Sequence, residues 1–234
     1  MPDTKTNTKS STEHWYAIYT GAGAAAQHQG SLRVQIKRDG GSRKITQEVM
    51  IRGIGPEGAD YKAKSVLSLK RTGGRLVPVE YSFKDNSHDC DVEFANGRLN
   101  TSGDASGHDG EPYPDDIMPG YGLFALAGTI FDQEEASLSV SVLHEGSTEV
   151  GHSGAKLLAT GPATSTPFGS TVPLWGVDWL GAEGNRVQSF YFDAEGTLIQ
   201  ADWGGSKARL VESKEAAAPP RRTGRSGRSK RVTA

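Results

Sequence analysis

Residues 172–203 read VPLWGVDWLGAEGNRVQSFYFDAEGTLIQADW, and this stretch decides the fold class. Apolar and polar side chains alternate along three runs, which glycine-containing turns separate. Side chains two residues apart lie on the same face of a β-strand, so Trp175, Val177 and Trp179 are predicted to share one face of the first strand. The segment therefore predicts a β-meander with a large aromatic surface on one face.

The same two-residue period recurs through most of the chain. It is clearest at residues 15–19, 32–36, 45–51, 63–69, 77–83 and 138–142. Hairpin turns are predicted between neighbouring runs, at Asp39-Gly40-Gly41, Thr72-Gly73-Gly74 and Asn96-Gly97. Proline lacks a backbone donor, so Pro78 within one run predicts an edge strand or a bulge.

These runs predict roughly eleven to thirteen strands, mostly joined by hairpins. Strands and helices do not alternate along the sequence, so no parallel sheet is expected. The predicted fold is all-β: a strongly curved antiparallel sheet or open β-barrel with one short helix or lid segment. The helix is predicted within residues 121–130, YGLFALAGTI, which are apolar without a clear period.

A long loop is predicted at residues 101–119, TSGDASGHDGEPYPDDIMP, because glycine, proline and aspartate interrupt the alternation there. Long loops within a domain are uncommon and tend to be lids, binding loops or disordered insertions.

Composition favours one domain of many short strands. The chain has 234 residues, of which 35% are hydrophobic and thirty are glycine. We predict a single β-barrel-like domain at residues 14–212, a disordered N-terminus at 1–13 and a disordered basic C-terminal tail at 213–234. The formal net charge is −2, but six of the twenty-six basic residues lie between Arg221 and Arg231.

Cys90 is the single cysteine, so an internal disulfide is excluded. The N-terminal residues contain no apolar signal core, and no apolar run has the length of a membrane span. A cytoplasmic protein is expected from the sequence as written, and a periplasmic one if the start site is mis-assigned.

The order of elements resembles a bacterial β-rich family of unknown function that is distantly related to the lipoprotein-carrier barrels of the Gram-negative periplasm. The resemblance spans roughly residues 15–212 and depends on the segment near Leu123, the strand at 138–143, Thr166-Pro167-Phe168-Gly169, and Phe190-Tyr191-Phe192-Asp193 before Glu195-Gly196. It implies an open, curved antiparallel sheet around an apolar cavity, with a short helical or loop segment over the mouth. It brings no catalytic residues.

Potential metal ligands cluster between His88 and Asp116, but their spacing matches no established site. A solvated acidic loop is the favoured interpretation, and no metal site is predicted. If a metal binds, His88, Cys90 and His108 are the first residues to test.

Catalytic motifs are weak. His144 is in phase with Val140 and Val142 and should point the same way, although a structural histidine is the more common outcome. G-x-S-x-G is absent, and the serine beside a histidine in Gly151-His152-Ser153-Gly154 has no triad spacing. Gly21-Ala22-Gly23 enters no βαβ unit, so no cofactor is expected.

The leading hypothesis is a non-enzymatic binding or carrier-like β-barrel that holds an apolar or amphipathic ligand in its concave face. The predicted ligand-binding residues share an inward orientation: Trp175, Val177, Trp179, Val140, Val142, Tyr81 and His144. A packed core is the alternative for the aromatic residues, and strand alternation places Phe190 and Phe192 opposite Tyr191.

Two alternatives stay open. One is an enzyme with an acid/base site at the barrel mouth, which would use His144 with carboxylates of the loop between Asp104 and Asp116. The other is an interaction protein that uses the basic tail, whose weak nonspecific contacts with anions or nucleic acid would involve Arg221, Arg222, Arg225 and Arg228.

Overall fold

The computed structural model describes residues 9–21, 25–132, 136–145, 150–162 and 173–220. Across these residues, fourteen strands form one sheet. In chain order they are β1 (Ser10–Thr20), β2 (Gln27–Asp39), β3 (Ser42–Ile51), β4 (Tyr61–Thr72), β5 (Arg75–Lys84), β6 (Asp89–Ala95), β7 (Arg98–Gly103), β8 (Ile117–Pro119), β9 (Ser137–Leu143), β10 (Val150–Pro162), β11 (Trp175–Leu180), β12 (Arg186–Phe192), β13 (Leu198–Trp203) and β14 (Ser206–Val211). Two short α-helices accompany them, α1 (Leu123–Ala127) and α2 (Lys214–Ala217).

Neighbours in the sheet are neighbours in the sequence, with one exception. The spatial order is β7-β6-β5-β4-β3-β2-β1-β14-β13-β12-β11-β10-β9-β8, so β1 pairs with β14 and joins the two halves of the chain. The predicted all-β fold class is confirmed. One expectation was wrong: β8 and β9 are parallel, because the chain between them crosses over through α1.

Local sequence explains the hairpins. Asn96 and Gly97 both have positive φ, 52° and 73°, as a type I′ turn requires, and they connect β6 to β7. Pro78 lies in a β-bulge, where the β4–β5 register shifts between Ser68 and Leu69. The bulge accommodates a residue that cannot donate to the ladder.

The sheet curves so that β8, at one edge, approaches β5, the third strand from the opposite edge. The guanidinium group of Arg75, at the start of β5, donates hydrogen bonds to the carbonyl oxygens of Asp116 (3.3 Å) and Ser139 (2.8 Å), beside β8 and in β9. In the part of the chain that the structure describes, β7 and β8 remain the two edges of the sheet. The result is an open barrel.

The predicted long loop begins later than expected and covers an edge. Residues 101–103 complete β7, and the chain then folds back along that strand. The N–H of Leu99 donates to the carbonyl of Glu111 (2.9 Å), and the N–H of Gly110 donates to the carbonyl of Leu99 (2.7 Å). The segment therefore shields the unpaired groups of an edge strand.

The predicted short helix is present as α1, which is preceded by a 3-10 turn at Gly120–Gly122. Leu123 and Leu126 are fully buried against the inward faces of the strands, and they belong to the same hydrophobic core as Tyr16, Leu67 and Phe190. An apolar segment without period suits a helix that is buried on most sides.

Both predicted domain boundaries need correction. β1 begins at Ser10, because residues 10–13 pair with residues 35–38 of β2 through backbone hydrogen bonds that require no apolar side chains. At the other end, α2 forms within the predicted tail: the Ser213 hydroxyl accepts a hydrogen bond from the N–H of Ala216 (3.2 Å), and Ala217 is buried. Val172, residues 166–169 and residues 221–234 lie outside the described residues.

Candidate ligand cavity

A cavity of about 480 Å³ lies between α1 and the concave face of the sheet. Most of its wall is apolar or aromatic, with polar groups confined to a few positions. The residues that line it come from β2 and β3, the 3-10 turn and α1, the end of β9, and β11 to β13: Leu32, Val34, Gln47, Gly120, Tyr121, Phe124, Val142, His144, Glu145, Trp179, Val187, Gln188, Phe190, Leu198, Ala201, Trp203 and Gly204. Volume and lining are typical of small-molecule sites.

The turn before α1 determines where the helix lies. Gly122 is buried, and a Cβ atom at this position would lie 2.5 Å from Cδ2 of Leu67 and 2.6 Å from Sδ of Met118. Only glycine therefore allows the chain to approach β4 and β8 so closely. This approach directs the half-buried ring of Phe124 into the cavity.

Gln47 fixes the other side of the same turn. Its side-chain amide nitrogen donates to the backbone carbonyl of Tyr121 at 2.5 Å, and the residue is almost completely buried in β3. The Tyr121 ring packs against Phe83, with ring centroids 5.8 Å apart. These contacts hold the turn and α1 against β3 and β5.

His144 and Glu145 follow the last residue of β9 and provide two ionisable groups in the wall. Burial raises the pKa of Glu145, and hydrogen bonds from the backbone N–H groups of Glu145 and Tyr121 offset part of that rise. The carboxyl group is thus shifted towards its neutral, proton-donating form.

A group of buried tyrosines begins beside Glu145 and extends away from the cavity. Burial raises the pKa values of Tyr81 and Tyr121 far above the ordinary value, and the negative charge of Glu145 acts in the same direction. The hydroxyl of Tyr81 is enclosed and has no hydrogen-bond partner among the described residues. The Tyr61 hydroxyl lies 3.4 Å from Oδ2 of Asp85, and both residues are half-buried.

Three of the seven predicted ligand-binding residues line the cavity: Val142, His144 and Trp179. Val140, Val177 and Tyr81 face inward but are packed in the core away from it. Trp175 departs most from the prediction. It is the first residue of β11 and lies at the end of the inward face. It is 41% exposed and packs against Phe131, with ring centroids 6.2 Å apart.

The predicted division of the β12 aromatic residues is confirmed. Phe190 and Phe192 are buried on the inward face, whereas Tyr191 is half-buried on the other face. Sequence reasoning missed Phe124, Gln47 and Glu145. The apolar run at 121–130 signals Phe124, and Gln47 is in phase with Ile45 and Val49 on the inward face of its strand, but no local pattern signals Glu145.

The candidate metal ligands lie apart from one another. Cys90 is buried in β6, whereas His88 is exposed and its Nδ1 lies 3.1 Å from Oδ1 of Asp85. Nδ1 of His108 lies 3.1 Å from Oε2 of Glu111. Within the described residues, no group of three or more histidine, cysteine, aspartate or glutamate side chains is placed to hold a metal ion.

The loop carboxylates that the enzyme hypothesis required have other contacts. Asp104 accepts a hydrogen bond from the N–H of Asp89 (2.7 Å), and Asp109 accepts one from the N–H of Thr101 (2.9 Å). These bonds hold the loop against β6 and β7. The carboxyl group that lines the cavity with His144 is that of Glu145.

Two further features concern the chain as a whole. Among the described residues, no helix is both long and apolar enough to cross a membrane. The side chains of His152 and Ser153 and the basic tail, with Arg221, Arg222, Arg225 and Arg228, lie outside the described structure. A role for the tail in binding anions or nucleic acid stays a prediction.

The fold is that of an open, β-barrel-like protein with a largely apolar cavity beside a short helix. A scan against protein-family models finds no match, and a search of curated proteins finds none either. A search of solved structures finds a beta-barrel-like protein of domain of unknown function DUF1849 from Brucella abortus. The similarity covers 86% of this chain and 95% of that chain, at 10% sequence identity and a TM-score of 0.46. The predicted relation to lipoprotein-carrier barrels stays a prediction.

Proposed function

We propose that this protein is a non-enzymatic binding or carrier-like protein that holds an apolar or amphipathic small molecule in the cavity beside α1. The observation that carries the proposal is the cavity itself: about 480 Å³, lined by Phe124, Trp179, Phe190 and Trp203 on the concave face of the sheet. Transfer of an apolar ligand from water to such a wall is favourable by about 25 cal/mol per Å² of buried surface.

The polar groups suit binding better than turnover. His144 and Glu145 are adjacent at the end of one strand, and Gln47 is already engaged with the backbone of Tyr121. A few fixed polar groups in an apolar wall orient a ligand and select among ligands of similar size.

The first experiment identifies what the protein carries. Native mass spectrometry of the freshly purified chain should show a small molecule bound at a one-to-one ratio, which is released on denaturation. Removal of this molecule by hydrophobic resin should then allow saturable binding of Nile red, a neutral apolar dye.

Two leucine variants test whether the dye occupies the proposed site. Leu32 is a half-buried residue that lines the cavity, and Leu32→Trp should fill it and weaken Nile red binding at least about tenfold. Leu158 is also half-buried, but Leu157 beside it points into the core, so Leu158 lies on the outer face of β10. Leu158→Trp should bind Nile red as the wild type does.

Thermal unfolding of both variants checks that each one is folded. Equal dye binding by the two folded variants would contradict the proposal, as would failure of the ligand-free wild type to bind Nile red.

A further inference from the structure

A second cavity, of about 330 Å³, lies on the opposite side of Phe124. It is enclosed by the inward faces of β1 to β3, by α1 and by the turn between β12 and β13. Its lining contains polar and charged residues as well as apolar ones: Thr12, His14, Tyr16, Val34, Ile36, Arg38, Arg43, Ile45, Phe124, Ala125, Gly128, Phe192, Glu195, Gly196, Thr197 and Leu198.

The two cavities are adjacent. Val34, Phe124 and Leu198 line both of them, so the same three side chains form the boundary between the apolar cavity and this polar one. A ligand that passes this boundary would have one part among aromatic residues and the other part among polar groups.

The polar groups are mainly hydrogen-bond donors and cations. Arg38 and Arg43 are direct partners in the β2–β3 register, on the same face as Val34 and Ile45; Arg38 is exposed and Arg43 is half-buried. The hydroxyl of Thr12 is enclosed and has no hydrogen-bond partner among the described residues. His14 lies next to them on β1, opposite Val34.

The described acidic residues nearby are Glu195 and Asp193. Glu195 lines the cavity together with the two arginines. Asp193 lies in the same turn, where its carboxylate accepts hydrogen bonds from the N–H groups of Glu195 (3.1 Å) and Thr197 (2.7 Å). Among the described residues, the cavity lining therefore contains two guanidinium groups and one carboxylate, and Asp193 places a second carboxylate nearby.

We propose that the ligand is a single-chain amphiphile whose anionic head group, a carboxylate or a phosphate, contacts Arg38 and Arg43 while its tail lies in the apolar cavity. This inference rests on the proposed function and specifies the chemical class of ligand. Planar guanidinium groups bind carboxylates and phosphates through paired, charge-assisted hydrogen bonds. Thr12 supplies a further hydroxyl, which has no hydrogen-bond partner among the described residues.

The experiment compares three probes with one tail: decanoate, decyl phosphate and neutral decanol. Each displaces Nile red from ligand-free protein, at concentrations below those at which it forms micelles. We expect at least one of the two anions to bind at least about tenfold more tightly than decanol. The carboxylate and phosphate arms show which head group is preferred.

The hairpin supplies a matched control for charge. Arg38→Gln with Arg43→Gln removes two positive charges from the inward face, whereas Lys37→Gln with Lys44→Gln removes two from the adjacent register pair on the outward face. The arginine variant should bind the preferred anion about as weakly as decanol and should bind decanol unchanged. The lysine variant should keep the preference for the anion.

Two other outcomes would contradict the head-group inference, and a third would contradict the proposed function as well. If decanol binds but neither anion binds more tightly, the head-group inference is wrong and the proposed function stands. If both double variants lose the preference equally, overall charge and not the second cavity is responsible, and the inference is again wrong. If none of the three probes displaces Nile red, the proposed function fails as well.

Discussion

Glu145 occupies the space that a side chain at Gly120 would fill. A Cβ atom built on Gly120 would lie 2.1 Å from Oε1 of Glu145, whose carboxylate accepts a hydrogen bond from the N–H of Tyr121. The glycine that begins the turn before α1 therefore makes room for a carboxyl group from the end of β9. This contact joins the helix to the sheet at the wall of the apolar cavity.

Glu145→Gln should make stability less sensitive to pH. Burial raises the pKa of Glu145 above its ordinary value of 4.5, so its stabilising effect is fully present below that pH and is lost as pH rises through the folded-state pKa. Urea unfolding across pH should show that the variant gains free energy of unfolding relative to the wild type as pH rises.

Asp85→Asn is a control for which the pH dependence of the free energy of unfolding should change in the opposite direction. Burial acts to raise the pKa of Asp85, but hydrogen bonds from the N–H groups of Ser87 and His88 outweigh it, and the pKa is lowered. Its contribution is present above the ordinary value of 3.8 and is lost as pH falls through the folded-state pKa. The same pH trend in both variants would contradict these assignments.

Gly120→Ala should displace the Glu145 carboxylate towards solvent. The conflicting atom is the end of a flexible side chain, so the expected loss of stability is modest, about 1 kcal/mol. The pH dependence attributed to Glu145 should become weaker, because the carboxyl group regains water. Gly107→Ala is the control, since nothing lies within 4 Å of a Cβ atom there. A loss of several kcal/mol at Gly120 with unchanged pH dependence would contradict the predicted displacement.

Tyr81→Phe and Tyr16→Phe should differ although both hydroxyls are buried. The Tyr16 hydroxyl donates to the carbonyl of Leu198 at 2.9 Å, whereas that of Tyr81 has no partner among the described residues. Removal of a buried hydrogen bond costs about 1 kcal/mol, and removal of an unsatisfied hydroxyl is neutral or stabilising. Denaturant unfolding measures both, and a larger loss for Tyr81→Phe would refute the assignment.

Phe124→Ala should widen the boundary between the apolar and polar cavities, both of which Phe124 lines. The ring is half-buried, so the loss of stability should be smaller than for a fully buried phenylalanine, about 2 kcal/mol. Displacement of Nile red by decanol and hexadecanol should show a shift in favour of the longer alcohol. Phe131→Ala, at an exposed ring after α1, should leave that ratio unchanged. Equal ratios in both variants would show that Phe124 does not limit the length of the ligand.

Much of the fold follows from local patterns. The period of two predicted the strands, and the turns at Gly40 and Asn96-Gly97 lie where the sequence placed them. Two features escaped this reasoning. The parallel β8–β9 pair depends on a crossover through α1, and β1 extends to Ser10 because its partner strand is long. Both depend on partners distant in the sequence.

The candidate site was only partly predictable, for a related reason. Alternation identified Val142, Trp179 and His144 as inward-facing, and all three line the cavity. It gave the same orientation to Val140 and Val177, which are packed in the core. The pattern of one strand reports a side chain's face but not what lies opposite that face.

The sequence by itself determined the all-β class, the positions of the hairpins and the face of the sheet to which most side chains belong, because these depend on steric rules that act within a few residues. Only the tertiary structure decided which inward-facing side chains line a cavity and which are packed in the core. That outcome depends on the curvature of fourteen strands and on the position of α1, which Gly120 and Gly122 allow to approach Glu145, Leu67 and Met118. Phe124 thereby lies at the boundary between an apolar cavity and one that Arg38 and Arg43 line.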